Sequence, residues 1–221
     1  MKPVTTLGET RTPDGSKFTL MEHDGDYFLK LNGTQLMSTT WVTSELLLAD
    51  VACSGMPIHG TTLIGGLGLG FSLKRVLQMS GKQSRVIQAE LLPEVVQWNR
   101  EHLQKVNGKL LDDPRVELVG DVFEAIRSAK KNAFDAILLD VDNGPTSFVQ
   151  RENQRLYEDR GFAAIRRSLT PTGKVAFWSA EPEPKFMKQL AKAGFRVKEY
   201  PAKAHPRAKR DAHRIYVGQK S

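Results

Sequence analysis

Thr61-Thr62-Leu63-Ile64-Gly65-Gly66-Leu67-Gly68-Leu69-Gly70 is a short apolar run that breaks into four glycines within six positions. The run predicts a β-strand ending in a turn. There, glycine lets the backbone approach a ligand with no Cβ in the way, and the next helix presents its unpaired N–H groups. Twenty residues after Gly70, Glu90 closes a second apolar stretch, Arg85-Val86-Ile87-Gln88-Ala89. A carboxylate at that strand end can accept hydrogen bonds from both hydroxyls of a ribose. Glycines alone also fit a turn that merely packs a helix close to a strand; Glu90 in register favours a nucleotide site. The spacing Gly-x-Gly-x-Gly from Gly66 departs from the Gly-x-Gly-x-x-Gly dinucleotide pattern, which argues against an NAD-dependent dehydrogenase.

Outward from this stretch, apolar runs and helical periodicities alternate. Strands are expected at 61–65, 85–90, 115–119, 134–140, 173–179, 195–200 and 213–218, and helices near 70–80, 93–105, 121–130, 152–168 and 183–193. Pro93 suits a first helical turn, and Gly173 and Gly194 are read as lying just past helices. The alternation predicts an α/β fold, a doubly wound, mainly parallel Rossmann-like sheet, with its last two strands closing as an antiparallel pair. Upstream, bursts at residues 17–37 are punctuated by Asp24-Gly25-Asp26 and Asn32-Gly33, which are hairpin signals. About three antiparallel strands follow from them. Ser44 is read as the N-cap of a helix running to Cys53. The expected division is an N-terminal β appendage, 1–43, and a nucleoside-binding domain, 44–221.

In open α/β sheets ligands bind beyond the carboxyl ends of the strands. The third such end runs into Gly120-Asp121, whose carboxylate could accept a hydrogen bond from an adenine amino group or cap the following helix. The fourth delivers Asp140, then Asp142 and Asn143 before Gly144-Pro145. A carboxylate held there in partly dehydrated surroundings can orient and deprotonate an alkylammonium, whose ordinary pKa near ~10 otherwise occupies the nitrogen lone pair. For Asp142 and Asn143 alone, turn residues bonding their own backbone are the favoured reading.

The bulk composition narrows the class. No apolar run approaches the ~20 residues that span a bilayer, and the first residues lack a signal-peptide core, so a cytoplasmic protein without membrane contact is expected. Cys53 is the single cysteine, which excludes an intrachain disulfide and a cysteine-built metal site; a small buried role is expected for it. The net charge is +7, with Lys203, Arg207, Lys209, Arg210 and Arg214 clustered in segment 203–214. A solvated loop between the last two strands is the favoured reading over nucleic-acid contact, since only Tyr200 and Tyr216 flank the cluster.

Together these residues resemble the spermidine synthase family, the polyamine aminopropyltransferases, from about residue 17 to 200. The hairpins followed by Leu31-Asn32-Gly33 and Gln35, then Glu45 leading a helix, look like the family's entry segment, whose glutamine and glutamate approach cofactor and amine. The family's glycine loop falls on Gly65, Gly66, Gly68 and Gly70, its ribose acid on Glu90, its adenine pair on Gly120 and Asp121, and its catalytic aspartate on Asp140. Its second active-site aspartate falls near Asp142 or Asn143. The resemblance implies the Rossmann-like sheet of class I methyltransferases. It further implies transfer of an aminopropyl group from decarboxylated S-adenosylmethionine to an amine such as putrescine, without a metal and in an enzyme that often dimerises. Gly68 stands where the family has an aspartate that holds the aminopropyl ammonium. Losing such an anchor leaves Asp142 or Glu181 to substitute, or makes the chain a methyltransferase using S-adenosylmethionine on a small amine or nucleic acid. A nucleotide-binding module in which Asp140 is only structural is the reading from a different class.

Overall fold

A computed structural model describes residues 3–141 and 151–220. Four strands, β1 (Thr5–Arg11), β2 (Lys17–His23), β3 (Asp26–Leu31) and β4 (Thr34–Ser38), form an antiparallel meander in chain order. Two of its turns hold two residues each: Asp24 and Gly25 at φ 52° and 88°, Asn32 and Gly33 at φ 48° and 85°. Positive φ at both centres matches the twist of the flanking strands, which is why Asp-Gly and Asn-Gly signal hairpins. The sheet has one strand more than the sequence suggests. β1 carries little apolar patterning, and its Gly8 lies flat against Trp98, where a Cβ would stand 2.1 Å from the indole Nε1.

The second sheet has seven strands: β5 (Thr61–Gly65), β6 (Arg85–Ala89), β7 (Val116–Val119), β8 (Phe134–Leu139), β9 (Leu169–Ser179), β10 (Phe195–Ala202) and β11 (His213–Lys220). Their order is β10-β11-β9-β8-β5-β6-β7. β5 pairs in parallel with both β6 and β8, so the chain winds outward from β5 and returns to its other side. A crevice opens at this reversal. β11 pairs antiparallel with β9 and β10, and the basic segment joins the last two strands.

Helices cover both faces. Alternate strand residues Ile64, Val86, Leu138 and Ala176 meet α1 (Thr43–Cys53), α2 (Phe71–Met79) and α3 (Pro93–Glu101). The opposite set, Leu63, Ile87, Leu139 and Phe177, meets α5 (Val122–Ser128), α6 (Asp159–Ser168) and α7 (Pro184–Lys192). Between α3 and β7 runs the single turn α4 (Gln104–Asn107). Leu20, Tyr27 and Leu29 of the small sheet join the first core, which seats that sheet over the crevice.

Three local expectations change. Ser44 is not the N-cap of α1: the helix begins two residues earlier than such a cap requires, Val42 occupies the cap, and the buried Ser44 hydroxyl donates to Glu45 Oε2 at 3.1 Å. Gly173 does not end a helix, because β9 starts at Leu169 directly after α6 and carries Gly173 within it. The helical stretch 152–168 divides into a 3-10 turn, Arg151–Tyr157, and α6.

Candidate active site

Gln35, Glu45, Gly66, Gly68, Glu90, Gly120, Asp121 and Asp140 line one cleft of about 480 Å³ at the carboxyl ends of β5 to β9. Asp142 and Asn143 lie outside the described residues. Gly65 and Gly70 do not line the cleft and have packing roles. A Cβ on Gly65 would stand 2.8 Å from Val122, and Gly70, at φ 85°, caps α2 beside Asn99.

The glycine turn is built around Asp140. Gly66, at φ 86°, passes so close that a Cβ there would stand 2.2 Å from the Asp140 carbonyl oxygen. The Asp140 N–H donates to the Gly65 carbonyl at 3.0 Å, tying the ends of β5 and β8 together. Gly68, at φ 50°, lies beneath Met37 of β4, whose sulfur would be 2.6 Å from an added Cβ. The Asn99 amide donates to the Gly68 carbonyl at 2.9 Å and fixes the crown of the turn.

Each carboxylate has a different environment. Glu90 accepts from the Leu67 N–H and the Leu92 N–H, both at 2.9 Å, and so fastens the glycine turn to β6. Burial pushes its carboxyl up, against these backbone hydrogen bonds. Asp121 caps α5, its Oδ1 accepting from Phe123 N–H at 2.7 Å and Glu124 N–H at 3.3 Å. The Asp121 Oδ2 accepts from Arg155 at 2.7 Å, and that guanidinium lies 4.5 Å above the Phe123 ring. Helix capping is therefore a role Asp121 has, and Gly120 beside it leaves open space: a Cβ there would meet nothing within 4 Å.

Glu45 and Asp140 form the chemical centre of the cleft. Glu45 is 5% exposed, and burial first, then the negative charge of Asp140, pushes its carboxyl far above the carboxylate range. Burial pushes Asp140 up as well. Two such acids cannot both ionise cheaply, so the pair retains a proton towards neutral pH.

Beyond Asp140 the register continues the site. Leu139 of β8 is paired with Phe177 of β9, so Asp140 and Trp178 are neighbours across the sheet and on the same face. Trp178 lines the cleft with His213, their ring centroids 4.9 Å apart. Burial holds the His213 pKa below the ordinary value, against the opposing effect of the neighbouring Ala180 backbone. Glu181 and Glu183 complete this end. Met37, Trp41, Arg155 and Trp178 escaped the sequence reading, although the rule of strand ends points to Trp178. Cys53 is buried, and burial pushes its thiol up to about 11, which leaves it unreactive near neutral pH.

No protein-family model matches the chain. It is 31% identical over 195 residues to polyamine aminopropyltransferase 1 of Streptomyces coelicolor, covering 84% of this chain and 35% of that protein. With polyamine aminopropyltransferase 2 of Pseudomonas aeruginosa it shares 32% identity over 141 residues, 62% of this chain and 38% of that one. The chain thus spans little more than a third of the length of these curated relatives. Its fold superposes on a spermidine synthase solved with the transition-state analogue AdoDATO, with a TM-score of 0.80 and 21% identity over 98% of this chain and 74% of that one. The Thermotoga maritima spermidine synthase gives a TM-score of 0.76 at 19% identity, covering 98% and 73% of the two chains. The chain is thus similar in sequence to polyamine aminopropyltransferases and shares the fold of the spermidine synthases.

Proposed function

We propose that the chain is an alkyltransferase of the aminopropyltransferase type, which moves an aminopropyl group from decarboxylated S-adenosylmethionine to an amine such as putrescine. The observation that carries this reading is the charge of the cleft. In a protein of net charge +7, its described lining holds six carboxyl groups, Glu45, Glu90, Asp121, Asp140, Glu181 and Glu183. The one guanidinium among them, Arg155, is ion-paired to Asp121 at 2.7 Å. Such a cleft concentrates cations and disfavours phosphodiesters.

The residues present fit an adenosyl donor. The turn at Gly66 has no room for a side chain of its own, whereas Gly120 leaves space that a Cβ would begin to fill. Glu90 would hold the ribose and Gly120 with Asp121 the base, Arg155 shifting from Asp121 Oδ2 or sharing that oxygen. The bound donor supplies a carbon already activated by a sulfonium leaving group. Asp140, the acid nearest the middle of the rim, accepts a proton from the incoming alkylammonium and frees its lone pair, and Glu45 beside it sets the proton affinity of the pair. Positioning by the cleft walls supplies much of the remaining barrier reduction.

A second reading is favoured by Met37. Its sulfur stands where a side chain at position 68 would project, so among the described residues no carboxylate occupies the place at which the family resemblance puts an ammonium anchor. S-adenosylmethionine as donor and methyl transfer to an amine follow from that reading. Melting the protein with decarboxylated S-adenosylmethionine, S-adenosylmethionine and NAD added separately tests both. At ~100 times the dissociation constant a ligand raises stability by ~2.7 kcal/mol, about 5–10 °C for a chain of this size. A selective shift with the decarboxylated form supports aminopropyl transfer, one with S-adenosylmethionine supports methyl transfer, and a shift with NAD alone refutes both.

A further inference from the structure

Among the described residues four large hydrophobic side chains stand exposed, and two of them, Trp41 at 47% and Leu91 at 38%, line the cleft. Leu91 follows directly on Glu90. Trp41 belongs to the other side, in the short link between β4 and α1, upstream of Glu45. An indole left nearly half exposed at a cleft mouth forgoes burial, and such apolar surface marks a contact made by a ligand.

The link that carries Trp41 is tied down. The Trp41 N–H donates to the Ser38 carbonyl at 3.0 Å, and the Thr39 N–H to the Tyr27 carbonyl at 3.0 Å. The Thr39 hydroxyl accepts from the Tyr27 N–H and donates to Asp26, both at 3.1 Å, while the Thr40 N–H donates to the Ser38 hydroxyl at 3.2 Å. Trp41 is therefore presented on a fixed support. A contact made by it loses little backbone entropy on binding.

We infer that Trp41 is a specificity-determining residue for the acceptor, its indole face closing over the alkylammonium that Glu45 and Asp140 receive from below. The inference rests on the reading of the cleft as an amine site and adds an element that reading does not need. The chemistry is that of a cation against a π-face, strongest for tryptophan and reinforced where carboxyl groups leave the other side of the cation compensated. It predicts preference for a positively charged acceptor over a neutral alcohol of the same length.

The test uses the full chain with decarboxylated S-adenosylmethionine and putrescine, comparing the parent with Trp41→Ala and Trp41→Phe. The alanine variant is expected to raise KM for putrescine about tenfold, with kcat and the dissociation constant of the donor within about twofold; phenylalanine recovers most of the loss. Independently of turnover, putrescine added to the protein with S-adenosylhomocysteine should quench tryptophan emission saturably, and Trp41→Ala should abolish that change. Trp178 lines the cleft beside Asp140, so this titration is run in a Trp178→Phe background, where Trp98, 5% exposed, supplies the emission that remains in the Trp41→Ala variant. An unchanged KM in Trp41→Ala overturns the inference while the reaction stands. If no amine is turned over and the emission change saturates and depends on Trp41, the reaction fails and the contact holds. An alanine variant that weakens donor and amine alike also overturns the inference, since Trp41 would then support the cleft as a whole.

Discussion

Replacing Asp140 with asparagine should make the protein more stable and inactive at once. The Asp140 carboxyl receives no hydrogen bond from the described residues and is pushed up by burial, and its charge adds to the burial that already raises Glu45. The sign follows from proton binding. From about pH 4, where the unfolded carboxyls ionise, to the neutral range, where the buried pair does, the folded state holds more protons than the unfolded chain. Stability of the parent therefore falls as pH rises through that window, the reverse of the usual salt-bridged aspartate. Asp140→Asn removes one of the two ionisations, so at pH 8 it should gain about 2 kcal/mol, a rise in Tm of about 4–8 °C. At pH 4, with the pair protonated in the parent, the difference should shrink to within about 0.5 kcal/mol. Turnover should drop by about 10²–10⁴ with donor affinity retained. Thermal melts at the two pH values and single-turnover kinetics read all of this. A destabilised variant at pH 8, or the same gain at both pH values, would refute the argument that Asp140 is a buried acid held ready to take a proton.

Gly66→Ala should cost at least about 3 kcal/mol in denaturant melts, because φ is 86° and the new methyl would meet the Asp140 carbonyl at 2.2 Å. Gly120→Ala is its counterpart: with nothing within 4 Å and no positive φ, stability should stay within about 0.5 kcal/mol while equilibrium titration shows donor affinity falling about tenfold. Glu90→Gln keeps the size but sets an amide nitrogen against backbone N–H groups of Leu67 or Leu92, so it should lose about 1–3 kcal/mol and loosen the glycine turn, seen as faster amide exchange at residues 66–68.

How far the sequence could be read depended on whether a residue's role is set locally. The glycine turn, the strand ends at Glu90 and Asp140 and the two Asx-Gly hairpins are local, written in φ requirements and apolar periodicity, and they are legible. β1 was not, since Thr5–Arg11 is held by pairing with β2 and by the fit of Gly8 against Trp98, a contact far apart in sequence. Ser44 misled for a related reason: it has the chemistry of a cap, but its hydroxyl is used on Glu45 because α1 starts two residues earlier than a cap at Ser44 requires. Met37 and Trp41 come from the small sheet and its exit, and only the packing of that sheet on the larger one brings them over the cleft.

The assignment of roles along the rim follows from how many acceptor sites each carboxylate has left. Asp121 commits one oxygen to the α5 amides and the other to Arg155, and Glu90 commits one oxygen each to Leu67 and Leu92. Both are fixed in place by these donors, which suits groups that would orient a neutral sugar or base. Glu45 has the Ser44 hydroxyl, and Asp140 has no donor among the described side chains. With acceptor capacity unfilled and water largely excluded, this pair is where a cation gains most by arriving. It is also where a proton is most readily taken up. The strand order puts the pair at the reversal between β5 and β8, with Glu90 and Asp121 on one side and Trp178 and His213 on the other. A donor seated towards β6 and β7 and an amine entering past Trp41 would therefore meet at Asp140, and exchanging the positions of Asp140 and Glu90 in this sheet would supply neither a firm ribose clamp nor a proton acceptor.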